Sequence, residues 1–179
     1  MYDEDIKIAG SRPSQSVKEN LATSVDEIAL DEKDAERAQR FGTKIAEEFC
    51  NASAVYNEAV EETDVNMMVQ RHLLLSFTVT IGFESYLKSD TVAGIAQKSF
   101  LDTVREKAPE LYKYTSDTGA FSFYYLAHRR GNEVERRMGQ TFAMLCAHDG
   151  DPIYQELGEV LYCWFSNRIK DLALEYELN

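Results

Sequence analysis

Between Val65 and Phe83 the chain is apolar almost all the way round a helix. Val65, Met68, Val69, Leu73, Leu74, Leu75, Phe77, Val79, Ile81 and Phe83 leave no continuous polar face. A helix of this kind holds only when other elements cover most of its surface, so the rest of the chain must wrap it. The β-branched residues Thr78 to Ile81 would also suit a strand, but the length of the run and its flanks favour helix. Ser76, Thr78, Thr80 and Glu84 interrupt its longest apolar part, which is too short and too polar to span a bilayer.

The segments around it read as helices too. From about Asp31 to Glu62, Ala38, Phe41, Ile45, Phe49, Ala52, Tyr56 and Ala59 step by three or four and form one apolar stripe. Gly42 inside that stripe costs about 1 kcal/mol relative to alanine, and it marks a kink or a close approach. Thr63 or Asp64 caps the apolar helix, and Ser89 or Asp90 caps a third over Thr91–Lys107, ended by Pro109. A short turn over Glu110–Tyr114 follows, then helices over Gly119–Arg130, begun by Asp117, and over Asn132–Ala147. Only Gly131 separates these two, so one kinked helix is an alternative. His148-Asp149-Gly150-Asp151-Pro152 is a stop followed by a start. The last helix, Pro152–Tyr176, carries two stripes, Ile153, Leu157, Val160, Trp164 and Leu161, Phe165, Ile169, Leu172, and is expected to pack between neighbours.

The expected architecture is therefore an all-α compact bundle of five or six helices over residues 24–179, one domain. Residues 1–23, with Gly10, Pro13 and several serines, form a poorly ordered tail or a strap. Only three prolines and nine glycines in 179 residues argue against a turn-rich β fold. Apolar residues at 44% supply a core and argue against wholesale disorder.

The net charge of −12 makes a nucleic-acid partner unlikely, because phosphate backbones need basic surface. Residues 1–64 hold 16 acids against 7 bases, so most of the acidity is N-terminal. The start, MYDEDIKIAG, is no secretory signal, and no segment suits a membrane. Cys50, Cys146 and Cys163 are odd in number, far apart and set in apolar helices, as expected of small core residues in a reduced, cytoplasmic protein.

Three groups of residues could carry chemistry. His72, Ser76, Thr80 and Glu84 recur every four residues along the apolar helix and so stack on one side. Unpaired polar groups in such a setting cost about 1–3 kcal/mol each, so this line either faces a cavity or is satisfied locally. In the local account Ser76 and Thr80 bond back to their own helix. With Tyr125 and His128 these residues are the candidate ligand-binding set.

The second group is the aromatic and basic tract Phe121 to Arg130, followed by Glu133, Glu135, Arg136 and Arg137. Arg129, Arg130, Arg136 and Arg137 place four arginines within nine residues of an acidic chain. Arginines beside tyrosines suit a phosphate, a carboxylate or an acidic partner surface. The competing structural account pairs Glu133 with Arg137 at i and i+4 and turns the other arginines toward the acidic first helix.

The third is Ala143 to Gly150, an apolar helix running into His148 and Asp149. This tract resembles the metal-binding step of HD-type phosphohydrolases, in which the adjacent pair binds a divalent metal with an upstream His and a downstream Asp. One residue is missing here between Asp149 and Gly150. The helpers would have to be His128 and Asp171, only 20 and 22 positions away. A straight helix from His128 to His148 would hold its ends about 30 Å apart. The structural account has Asp149 or Asp151 capping the last helix.

No Glu-x-x-His, P-loop, GxGxxG or GxSxG occurs. Glu47, Glu48, Glu58, Glu61 and Asp64 faintly resemble the magnesium helices of all-α nucleotide pyrophosphatases, but the paired motif on the earlier helix is missing. The sequence thus leads to a helical protein that works by binding a protein partner or a small ligand between helices, with no cofactor. A metal- or phosphate-dependent hydrolase at His148/Asp149 or Arg129/Arg130 is the alternative. A structural homo-oligomer with Tyr112, Tyr114 and Tyr124 at its interface is a further one.

Overall fold

A computed structural model describes residues 32–58, 65–116 and 118–179. Among them are seven α-helices, one 3₁₀ turn and no strand. They are α1 (Glu32–Glu58), α2 (Val65–Tyr86), α3 (Asp90–Lys107), α4 (Pro109–Tyr112), the 3₁₀ turn Lys113–Ser116, α5 (Thr118–Arg129), α6 (Val134–Leu145) and α7 (Pro152–Glu175). The all-α expectation is met. The count exceeds five or six because Pro109 opens a separate short helix and because α5 and α6 are distinct. No described helix is long and apolar enough to cross a membrane. The tail over 1–23, the caps at Thr63 and Asp64, and the start at Asp117 lie outside the described residues.

The apolar helix is the centre. Residues 71–79 and 81–83 of α2 are all buried, whereas Val65 at its start is exposed. On one side α1 and α3 cover it: Phe41 and Phe83 meet as tilted rings 5.3 Å apart, and Phe49 and Phe83 each meet Phe100 edge-on. The α1 stripe is fully buried at Ala38, Phe41, Ile45 and Phe49. Gly42 is the close approach foreseen, because a Cβ there would overlap the backbone carbonyl oxygen of Ala96. On the other side Phe77 is ringed by Phe121, Tyr124 and Tyr125 of α5 at 5.0–5.6 Å, with Met138 and Phe142 of α6 in the same cluster.

The helix ends follow local chemistry. The Ser89 side chain accepts from the Val92 N–H, and Asp151 accepts from the Ile153 N–H at 2.8 Å, so these two residues cap α3 and α7. Asp151, not Asp149, caps the last helix. Gly131 at φ +75 breaks the chain between α5 and α6, which settles the kinked-helix alternative in favour of two helices. The C-terminus is tied down at Leu178, which is buried and whose carbonyl accepts from the Lys88 N–H at 2.8 Å.

Three expectations need correction. The last helix does pack between neighbours, α6 and α2, but its first stripe is only partly covered: Leu157 is half-buried against the core, while Ile153, Val160 and Trp164 face solvent and Leu161, Phe165, Ile169 and Leu172 are buried. Of the cysteines, all free, only Cys146 is buried; Cys50 and Cys163 are half-buried. Tyr124 is fully buried against Phe77 and so cannot serve at an oligomer interface.

Candidate functional site

The polar line on α2 divides into a sealed half and an open half. His72 is 6% exposed, its ring lies 5.3 Å from that of Tyr114, and neither ring nitrogen has a hydrogen-bond partner. Burial pulls the His72 imidazole from 6.5 down to about 4; Arg71 and Lys113 add to that pull and Glu110 opposes it. Ser76 is buried with its hydroxyl also unpartnered, so it does not bond back to its helix. Thr80 does, donating to the Ser76 carbonyl at 3.4 Å, as Thr78 does to Leu74 at 2.8 Å. His72 and Ser76 therefore belong to the packed interior.

One turn further on, the line reaches solvent. Thr80 and Glu84 line a cleft of about 550 Å³ with Phe83, Gln97, Thr115 and Phe121, between α2, α3 and α5. Glu84 also lines a second cleft, of about 660 Å³, between α2 and α5. There it meets Ile81, Ser122, Tyr125, Leu126, His128 and Arg129. Four of the residues singled out by sequence, Glu84, Tyr125, His128 and Arg129, converge on this cleft. Tyr125 is anchored edge-on to Phe77 at 5.0 Å. Burial, helped by the Glu84 carboxylate, pushes its phenol up, so it stays a neutral hydrogen-bonding group at ordinary pH.

The rim of this cleft is the outer face of α5. Phe121, Tyr124 and Ala127 turn inward, which leaves Ser122, Phe123, Leu126, Arg129 and Arg130 outside. Leu126 is 59% exposed and Phe123 48%. Arg129 and Arg130 are exposed and have no acidic partner among the described residues. The cleft thus offers an acceptor (Glu84), neutral hydroxyls, an apolar lip and a cationic end on one short helix.

Arg136 and Arg137 stand apart from it. Glu133 is a left-handed N-cap residue at φ 50, so its carboxylate lies 3.6 Å from Arg136, not beside Arg137 as the i, i+4 account expected. Arg137 is half-buried with Nη1 unpartnered. Nor do these arginines hold the acids of α1. Glu48 is gripped by Arg168 at 2.6 and 2.7 Å, and Glu47 by Lys107 at 2.7 Å, which also holds the Glu47 carboxyl below its ordinary range.

His148 stacks flat on Tyr154 at 3.8 Å and Asp149 is exposed at the turn. Among the described residues no three His, Cys, Asp or Glu side chains are grouped as metal ligands, so the resemblance to the HD step gains no third ligand.

Sequence reasoning named the tract but not the exposed pair Phe123 and Leu126, nor buried Arg71 and the α1 clamp Arg168. Helical spacing carried the signal for the pair: Phe123, Leu126 and Arg130 at i, i+3 and i+7 share the face opposite Phe121 and Tyr124. No family model, no curated protein and no solved structure matches the chain.

Proposed function

We propose that this chain is a binding protein whose α2–α5 cleft and adjoining α5 face take a short acidic, apolar segment of a partner protein. One observation carries the reading: Leu126 and Arg129 line an open cleft, exposed Phe123 and Arg130 continue from them on the outer face of α5, and the two arginines lack acidic partners among the described residues. An apolar side chain of the partner would lie against Leu126 and enter toward Ile81. Its flanking carboxylates would meet the guanidinium groups, where charge-assisted and bidentate bonds are strongest. Tyr125 and Glu84 would orient the segment by hydrogen bonds to its backbone. The rigid Phe77 cluster under α5 keeps that surface in place without prior folding cost.

Panning a library of random short peptides against the protein tests this. The expected consensus couples Asp or Glu with a neighbouring Leu, Phe or Trp, and the selected peptides release as salt rises. A consensus of basic residues, or no enrichment over an unrelated protein, contradicts the reading.

A further inference from the structure

A second groove, of about 710 Å³, runs between α1 and α3 and shares no residue with the α2–α5 cleft. Its floor is polar because Gly42 lets the two helices touch backbone to backbone. The Ser99 hydroxyl donates to the Gln39 carbonyl at 2.7 Å and lies 3.0 Å from the Thr43 hydroxyl. Both hydroxyl protons are thus committed within the floor, and any anion in the groove must be held by the rim.

The rim is unevenly neutralised. Two of its three acids have cations outside the groove: Lys107 holds Glu47 at 2.7 Å and Arg105 lies 3.4 Å from Asp102, while Glu106 has no ion pair among the described residues. Its cations are not matched in return. Arg40 and Lys98 have no acidic partner among the described residues. Lys44 is 3.9 Å from Glu48, whose carboxylate Arg168 already holds on both oxygens. Arg40 and Lys44 are one turn apart, about 6 Å along the helix. That span lets both side chains reach one compact multivalent anion. In a chain of net charge −12, three under-neutralised cations on one groove are a selective attraction for such an anion.

We propose that the α1–α3 groove binds a phosphorylated polyol, a sugar phosphomonoester, with its phosphate among Arg40, Lys44 and Lys98. The hydroxyls of the ligand would run toward Asp102 and Glu106, whose carboxylates accept hydrogen bonds. Arg40 supplies the fork that matches phosphate oxygens, while the lysines act as point charges.

Calorimetric titration of the full chain with glucose 6-phosphate, inorganic phosphate, glucose and a single-stranded oligonucleotide tests the assignment. Glucose 6-phosphate is expected to bind more tightly than inorganic phosphate, and glucose not at all. Arg40→Glu with Lys98→Glu weakens the ester at least about tenfold while the helical circular dichroism is unchanged. Arg40→Gln with Lys98→Gln serves if the charge reversal perturbs folding. The proposal is overturned by an ester that does not bind, by inorganic phosphate binding as tightly as the ester, by an oligonucleotide binding more tightly than either, or by variants that bind as the wild type does.

Discussion

The outer faces of α5 and α7 expose apolar side chains to the same degree. Leu126 and Phe123 on α5 are matched by Val160 and Trp164 on α7, at 56% and 47% exposure. Their settings differ. On α5 the neighbours are Arg129 and Arg130; on α7 they are Glu156, Glu159 and Arg168, the last already held by Glu48 on both carboxylate oxygens. Behind α5 lies a cleft with hydrogen-bonding groups, and in α7 the stripe stands on a helix whose opposite face is packed. Exposure of apolar surface alone does not define a site. In an acidic molecule the cationic setting is the uncommon one, and it singles out α5 as the place where an acidic segment would be drawn in rather than repelled.

The comparison breaks most severely if α5 loses its support. Phe77 contacts three α5 rings and none from α7, so Phe77→Ala is expected to cost about 4 kcal/mol, read as a lowered denaturant midpoint. It should also abolish peptide capture by α5.

Acid acts on the same central helix, α2. The His72 imidazole titrates near 4 in the folded chain against 6.5 unfolded, so the unfolded state takes up the proton first. Stability attributable to His72 is therefore complete above pH 6.5 and is lost as pH falls toward 4. The loss is about 3 kcal/mol at about 1.4 kcal/mol per pH unit. His72→Phe should flatten that limb of the stability curve relative to the wild type. An unchanged limb would show that His72 is not the group responsible.

Gly42→Ala is the control for stability without function. Its Cβ would strike the Ala96 carbonyl on the α1–α3 side, and overpacking of this kind costs about 1–3 kcal/mol. Capture by the α5 face should survive. Smallest in stability are Leu126→Asp and Val160→Asp, both within about 0.5 kcal/mol of the wild type as exposed positions. They differ only in binding.

Much of the fold was legible because burial and helical period agree along α1, α2 and α3, and because Ser89, Gly131 and Asp151 are strong local signals. The site was legible only in part. The every-fourth-residue line from His72 to Glu84 was real as a helix face, yet tertiary packing decides which of its residues see water. Tyr114 closes over His72, while the cleft between α2, α3 and α5 leaves Thr80 and Glu84 open. The two stripes of α7 read alike in sequence, since periodicity does not say how far round a helix its neighbours reach. Glu133 shows the same limit locally: the i, i+4 rule presumes helix, and a left-handed cap residue does not obey it.

The most direct test of the account is the affinity of one selected acidic peptide for the wild type, Leu126→Asp, Arg129→Glu and Val160→Asp. The account predicts at least about tenfold weaker binding, some 1.4 kcal/mol, for each α5 variant and unchanged binding for Val160→Asp, with the helical signal intact in all. Equal affinity across the four proteins, or a loss confined to Val160→Asp, would contradict it.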